Sequence, residues 1–291
     1  MQVVKFINQK NEEVEFSSRS STLLVQIDGL SGLESTDVSY TGYMQDGEAY
    51  QSSRFEKRQI IIKFHVVCES ESNLLAVRSK IHRVFNPKLG SGTLVYEYKG
   101  VSRKIKCVAD GLPTMALKSR ITDCEGEVVL LAHDPFLQDV EEKVAKVANW
   151  EGKFKFPLTM LKRKNVVMGG RKKNYIVSIK NDGEVECGIT IEFKSLGEVV
   201  NPSIFNLDTR EFIKVNRTMT AGEKIIISTG YNEKRITSIN AGQSTNIMNH
   251  LDLESTFLQL TVGDNLFRYD AEQNLSNLEV NIYYTQRYLG V

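Results

Sequence analysis

Between Arg58 and Cys68 every second residue is apolar: Ile60, Ile62, Phe64, Val66 and Cys68 fall on one face. Lys63 and His65 share the other face with Ile61 and Val67. A period of two marks a β-strand. The period then changes. From Asn73 to Phe85 the apolar residues Leu74, Val77, Ile81, Val84 and Phe85 recur at helical spacing, which predicts an amphipathic helix with one side on a core. Ser70 and Ser72 offer N-cap oxygens. Glu69 and Glu71 lie at the helix entry and Arg78, Lys80 and Arg83 further along, the order that suits the helix dipole. Asn86-Pro87 stops the helix, because the residue before a proline is pushed out of the helical region. After a Leu-Gly-Ser-Gly turn, Leu94, Tyr96 and Tyr98 alternate with Val95 and Glu97, and past Lys99-Gly100 Ile105 and Cys107 sit between Lys104 and Lys106. Strand, helix and hairpin form one unit that closes at Leu112-Pro113.

The flanking patterns complete a first domain over residues 1–136. Val4 to Phe16 reads as two short strands around the polar turn Asn8–Asn11, and Leu23 to Ile27 as a third, closed by Asp28-Gly29. From Glu34 to Phe55 serine, threonine, glycine and tyrosine dominate, with Tyr40, Tyr43 and Tyr50 as the large side chains and a turn signal at Asp46-Gly47. Most connections run about 4–6 residues, so a polar segment this long fits either an exposed, mobile hairpin or an arm that reaches a neighbouring subunit, its tyrosines supplying rigid contact area. Val128 to Ala132 is a short apolar run suited to a buried strand, and His133-Asp-Pro-Phe136 ends the domain.

Residues 137–173 read as a connector. Val140 to Val147 fits a strand or a helical turn, Trp150 is the only tryptophan, and Lys162-Arg-Lys164 and Arg171-Lys-Lys173 flank Gly169-Gly170. The basic run lacks interleaved aromatics and the Gly-Lys-Ser/Thr ending of a phosphate loop, so a solvated hairpin or linker is the reading. From 174 to 291 the pattern is all strand. Val177 and Ile179, Ile189 to Phe193, Phe212 to Val215, Ile225 to Ser228, Phe257 to Val262, Leu266 to Tyr269 and Leu278 to Tyr284 are separated by turn signals at Asn181-Asp-Gly, Asn201-Pro202, Thr220-Ala-Gly222, Thr229-Gly230 and Gly263-Asp-Asn265. Seven or eight short strands so punctuated argue a two-sheet sandwich or jelly roll.

Composition narrows the function classes. The chain has 291 residues, 25% of them charged and 41% hydrophobic, and its 37 lysines and arginines nearly balance 36 aspartates and glutamates. Such a balance points to neither nucleic acid nor an anionic membrane. No apolar run approaches the about 20 residues of a membrane span. Met1 to Ile7 runs into Asn-Gln-Lys-Asn-Glu-Glu, not a signal-peptide pattern, so synthesis and folding in a cytoplasm are expected. Cys68, Cys107, Cys124 and Cys187 show no metal-ligand spacing and are read as packed thiols. His65 and Cys68 face opposite sides of a strand. The adjacent His133 and Asp134 do not make a recognisable acid–base pair, and no Gly-x-Ser-x-Gly, His-Glu-x-x-His or paired-acid pattern occurs. No catalytic residue, metal or cofactor is expected.

Several motifs together carry a resemblance. Arg58-x-Ile-x-Ile-x-Phe64, a helix closing on Phe85-Asn-Pro87, Gly92-x-Leu-x-Tyr96 and the basic strand after it resemble the distal tail (Dit) family of long-tailed bacteriophages, a siphophage-type tail component. Lys180-Asn-Asp-Gly183, Asn201-Pro-Ser-Ile-Phe-Asn206, Ala221-Gly-Glu-Lys-Ile225, Ser255-Thr-Phe-Leu258, Gly263-Asp-Asn265 and the closing Tyr283 to Gly290 run in the order of that family's galectin-like sandwich. Asp208-Thr-Arg210 lacks the family's usual glycine, and Val262 stands in place of its usual proline; both departures touch loops.

The resemblance implies a mainly β protein: a β-barrel-like, α+β N-terminal ring domain with one belt helix, then a galectin-like β-sandwich. It implies a non-catalytic virion structural protein of a phage, prophage or tail-like bacteriocin, placed in the tail tip or baseplate. As a homohexamer it would form a ring joining the tail tube protein to the tail-tip hub or tail-associated lysin, with receptor-binding proteins on the C-terminal domain, and with no membrane or specific nucleic acid as partner. The expected subunit interface comprises Tyr43, Gln45, Asp46, Tyr50 and Arg54 of the arm with Arg78, Lys80 and Arg83 of the helix. A glycan-binding module for host cell-wall saccharide is the alternative that a galectin-like sandwich suggests, although fold alone does not imply function.

Overall fold

The alternating stretch at Arg58 is a ten-residue strand, buried and exposed by turns along its whole length. In the computed structural model, which describes residues 1–117, 122–147, 150–152, 169–171 and 175–291, this strand organises the first of two units. That unit comprises Met1–Val140 together with Arg287–Val291; the second comprises Glu141–Gln286. The last five residues, expected with the C-terminal domain, therefore belong to the first unit.

The first unit contains β1 (Gln2–Ile7), β2 (Glu13–Ser17), β3 (Thr22–Asp28), β4 (Ser35–Tyr40), β5 (Ala49–Phe55), β6 (Arg58–Val67), helix α1 (Glu71–Val84), β7 (Gly92–Tyr98), β8 (Val101–Ala109), β9 (Thr114–Leu117), β10 (Asp123–Ala132) and β11 (Leu137–Asp139). A ten-stranded sheet runs in the order β2-β1-β7-β8-β10-β6-β3, with β9 on β10, and β11 on both β8 and the returning strand Arg287–Tyr288. The two ends of this order, β2 and β3, are consecutive in the chain. The hydroxyls of Ser20 and Thr22 both donate to the Glu15 carbonyl, so side chains rather than a backbone ladder join the ends, and the sheet is barrel-like without closing. Inward-facing Val4, Phe6, Phe16, Ile60, Ile62, Phe64, Leu94, Ile105 and Leu130 fill its core.

Helix α1 begins two residues earlier than its apolar spacing predicts. Ser70 is the N-cap, its side chain accepting from the Asn73 amide at 3.3 Å, which leaves Glu71 as the first helical residue. Leu74, Ile81 and Val84 are buried. Phe85, just past the end, stacks on Phe6 at 4.5 Å and lies 6.0 Å from Phe16. Aromatic pairs at these spacings contribute about 0.5–1.5 kcal/mol beyond their buried area. They pin the helix end to the sheet.

The second unit is a sandwich. Its strands are β12 (Lys143–Lys146), β13 (Trp150–Gly152), β14 (Gly169–Arg171), β15 (Ile176–Asn181), β16 (Cys187–Ser195), β17 (Val199–Asn206), β18 (Phe212–Lys214), β19 (Thr218–Met219), β20 (Lys224–Ser228), β21 (Arg235–Asn240), β22 (Gln243–Asn246), β23 (Gln259–Leu260), β24 (Gly263–Gln273) and β25 (Leu278–Tyr284). One sheet has the order β12-β25-β16-β20-β21-β22 with β23 on β16; the other has β15-β24-β17-β18 with β19 on β17; β13 and β14 pair only with each other. Ile191, Phe193, Ile225, Ile227, Val280 and Ile282 from the first sheet and Ile179, Ile204, Ile213, Phe267 and Tyr269 from the second form one buried cluster. Two turn signals prove to lie inside strands. Asn201 takes a left-handed φ of 50° within β17, yet the ladder to β24 keeps its register across it, from Val200↔Gln273 to Pro202↔Ala271, and the Asn201 side-chain amide donates to Glu272 Oε2 at 2.8 Å. Gly263-Asp-Asn265 opens β24, where the buried Asn265 side chain accepts from the Thr261 amide and donates back to the Thr261 carbonyl.

The turn before β20 holds a buried acid. Glu223 is 1% exposed. It accepts from the Ser238 hydroxyl at 2.6 Å and the Thr220 amide at 3.0 Å, and pairs with Arg217 at 3.1 Å. Burial pushes its pKa up, but these hydrogen bonds and the Arg217 charge outweigh burial and hold it below its usual 4.5. A depressed folded pKa gives stability that is present above the unfolded value and lost as pH falls through the folded one. The thermal transition of the second unit is therefore expected to drop on acidification below about pH 4.5. Glu223→Gln should flatten that dependence; an unchanged pH profile in this variant would remove Glu223 as its source.

Candidate functional site

The segment Glu34–Phe55 folds as a hairpin apart from the main sheet. Strands β4 and β5 pair from Ser35↔Phe55 to Tyr40↔Ala49, with a register shift after Val38, and form a two-stranded sheet of their own. All of their residues but Ala49 are exposed. Because cross-strand partners share a face, Asp37, Ser39, Tyr50 and Ser53 line one side. Tyr50 Oη and Ser53 Oγ lie 2.7 Å apart, Ser53 donates to Asp37 Oδ1 at 2.6 Å, and Ser39 donates to Glu48. Polar side chains thus hold the arm together where no core can. At its tip Tyr43 is 97% and Met44 89% exposed, and Tyr40 and Tyr50 are exposed as well. Monomeric proteins seldom display a contiguous apolar cluster without a use for it.

The two feet of the arm are tied down. The Glu56 amide donates to the Glu34 carbonyl at 2.9 Å, and Thr36 donates to Glu56 Oε1 at 2.7 Å. Phe55 meets Phe136 edge-on at 5.8 Å. Just beyond, Arg58 is 3% exposed and its guanidinium spans three carbonyls: Nε to Pro135, Nη1 to Gly29 and Nη2 to Leu289. Burial pulls its pKa below the usual arginine value. Gly29, at φ +86°, has no room for a side chain, since a Cβ would sit 1.9 Å from the Gln59 carbonyl oxygen. The clamp is invisible to motif reading because all its acceptors are backbone oxygens distant in sequence.

The expected interface residues fall on two elements. Tyr43, Gln45 and Asp46 lie at the arm tip and Tyr50 and Arg54 on β5, none with a partner in the main sheet of their unit among the hydrogen bonds and ion pairs described; within the arm Gln45 Oε1 accepts from the Gly42 amide, and Arg54 approaches Glu56 at 3.6 Å. On α1, Lys80 and Arg83 are exposed and Arg78 is half-buried. Arg83 is already engaged with Glu12 at 2.9 Å, which its position on the helix alone did not reveal. The charges are complementary. Residues 34–56 carry Glu34, Asp37, Asp46, Glu48 and Glu56 against Arg54 alone, whereas 78–88 carry Arg78, Lys80, Arg83 and Lys88 with no acid.

His133 is exposed, and Asp134 pairs with Arg287 at 2.8 Å rather than with the histidine. The cysteines form no disulfide; burial pushes the Cys107 thiol up to about 12 and also raises Cys68 and Cys124, which suppresses the reactive thiolate. Among the described residues no group of three or more His, Cys, Asp and Glu could hold a metal, and no helix is long and apolar enough to cross a membrane. Lys162-Arg-Lys164 and Lys172-Lys173 lie outside the described residues, as does the side chain of Trp150. A groove of about 480 Å³ is lined by Val25, Lys63, Phe64, Met115, Glu125 and Glu127.

Two family comparisons match the two halves of the chain. The phage tail protein RIFT-related domain matches residues 10–125, and the C-terminal domain of the siphovirus-type tail component matches residues 182–288. No curated protein matches the sequence. Among solved structures, the Dit protein (gp 19.1) of phage SPP1, titled a paradigm of the hub adsorption apparatus in phages infecting Gram-positive bacteria, is similar with a TM-score of 0.71 at 14% identity, over 98% of this chain and 99% of that one. Chains of the phage P2 baseplate in its activated conformation, with Ca and with Sr, are similar with TM-scores of 0.57 and 0.55 at 11% and 10% identity, over 100% of both chains. At such identities the structural likeness speaks for the fold, while the sequence families speak for kinship. Matched by a tail-protein domain in each half, and sharing the fold of the SPP1 Dit protein almost from end to end, the chain belongs to the siphovirus-type distal tail component family.

Proposed function

We propose that this chain is a non-catalytic structural component of the virion tail tip or baseplate, and that its first unit closes a hexameric ring joining the tail tube to the tail-tip hub. The observation that carries the reading is the acidic, tyrosine-tipped arm set against the basic second half of α1. One patch is complementary to the other rather than to itself, which suits a head-to-tail contact between copies, and head-to-tail contacts generate rings when the rotation closes. Tyr43, Gln45, Asp46, Tyr50 and Arg54 of one copy would meet Arg78, Lys80 and Arg83 of the next. The hub or tail-associated lysin would then be an axial partner, and receptor-binding proteins would dock on the galectin-like sandwich. Ordered tyrosines fit such a role, since they bring large contact area at low entropic cost.

Native mass spectrometry with negative-stain imaging tests this. The expected species has six times the 32.9 kDa of one chain and is seen as a ring. Arg78→Glu with Arg83→Glu should dissociate it, because like charges facing each other across an interface cost several kcal/mol, here at every junction of the ring. A chain that remains monomeric at its highest soluble concentration would sink the self-closing ring.

A further inference from the structure

We propose that the strand Arg287–Tyr288 is a latch that fixes the root of the arm. This segment leaves the second unit in sequence and pairs in the first, Leu137↔Tyr288 and Gln138↔Arg287, on β11. Its side chains are locked on both faces. Arg287 pairs with Asp134 at 2.8 Å and lies over the Phe136 ring at 5.4 Å. Tyr288 sits under the Arg103 guanidinium at 3.6 Å, and its hydroxyl donates to Asp139 Oδ2 at 3.3 Å, while Arg103 itself pairs with Asp139 at 2.6 Å.

Two contacts of this segment lead to the arm. Phe136, held by Arg287, is the ring against which Phe55 closes β5. Leu289, one residue past the strand, supplies the third carbonyl of the Arg58 clamp, whose other acceptors are Gly29 before the arm and Pro135 before β11. Arg58 thereby ties the chain entering the arm, the chain leaving it and the latch into one knot. A planar five-donor guanidinium is suited to such a three-way tie. The latch follows residues 141–286 in sequence, so the arm acquires its fixed root only after the second unit has been made. A nascent chain with a loose arm is thereby kept from joining a ring too early; this consequence rests on the ring reading, but the latch itself does not.

Hydrogen exchange on the dilute full-length chain separates the two. In Arg287→Ala with Tyr288→Ala, the Glu56 amide, bonded to the Glu34 carbonyl across the arm root, should exchange at least about tenfold faster, the loss expected from contacts worth about 1.4 kcal/mol or more. Amides of β16 in the second unit should be unchanged. If the first unit of this variant does not fold, Arg287→Lys decides: it retains a charge for Asp134 but loses the planar contact with Phe136, and a rise of about two- to fivefold is expected. A Glu56 rate within twofold of the parent in the folded double variant, or in Arg287→Lys where the double variant does not fold, overturns the latch. A faster Glu56 amide combined with an unchanged oligomer mass supports the latch and counts against the arm as the ring contact.

Discussion

Arg58→Ala is expected to lower the stability of the first unit by about 3–5 kcal/mol. The guanidinium donates to three backbone carbonyls from a nearly inaccessible position. An acceptor left without a donor out of reach of water costs about 1–3 kcal/mol, and deleting so long a side chain also leaves a cavity. No carboxylate appears among these partners, so the loss comes from hydrogen bonding and packing, and salt should modulate it little. Arg58→Lys should recover less than half, because one ammonium on a flexible stem cannot reach three acceptors arranged around a planar fork. Calorimetry would show the first-unit transition falling by roughly 10 °C or more and the second-unit transition staying in place. A fall of less than about 2 °C would mean that the three carbonyls find other donors at little cost.

That clamp also marks where sequence pattern stops being informative. Strands with one buried face declare themselves: β1, β2, β6, β7, β8, β16 and β25 all follow the period of two, because each lies with one side on a core. The helix declares itself through its apolar stripe and its serine cap. The arm is legible as a polar, tyrosine-rich hairpin, though nothing in its residues tells what the tyrosines meet. Strand β17 is hidden because Asn201-Pro202 has the chemistry of a turn, yet Asn201 takes its left-handed φ inside a strand whose register is unbroken. In β21 only Ile236 and Ser238 are buried, and every residue of β22 is exposed, so neither has an apolar pattern to read. The Arg58 knot and the return of Arg287–Tyr288 to the first unit depend on backbone oxygens and on contacts between residues far apart in sequence. Such pairings carry no local signature, and a linear reading assigns the last strand to the domain it follows.

The second large effect is expected at Gly188, near the start of β16. A Cβ there would lie 2.5 Å from Gly230 Cα and 2.7 Å from Gly230 N. Both neighbours are backbone, so no side chain can rotate away, and the strands themselves must separate. The junction has little slack. Thr229 exchanges hydrogen bonds with Ile189 through both its amide and its hydroxyl, and the Gln259 side chain donates to the Thr229 carbonyl at 2.8 Å. Gly188→Val would force these apart, at about 3 kcal/mol or more, the upper range for overpacking. The second-unit transition should fall by several degrees and the first-unit transition should not move. This contrast bears on function. If the ring is a property of the first unit, Gly188→Val should still give the hexameric mass at temperatures below its lowered transition. Loss of the hexamer under those conditions would instead place an essential ring contact on the sandwich.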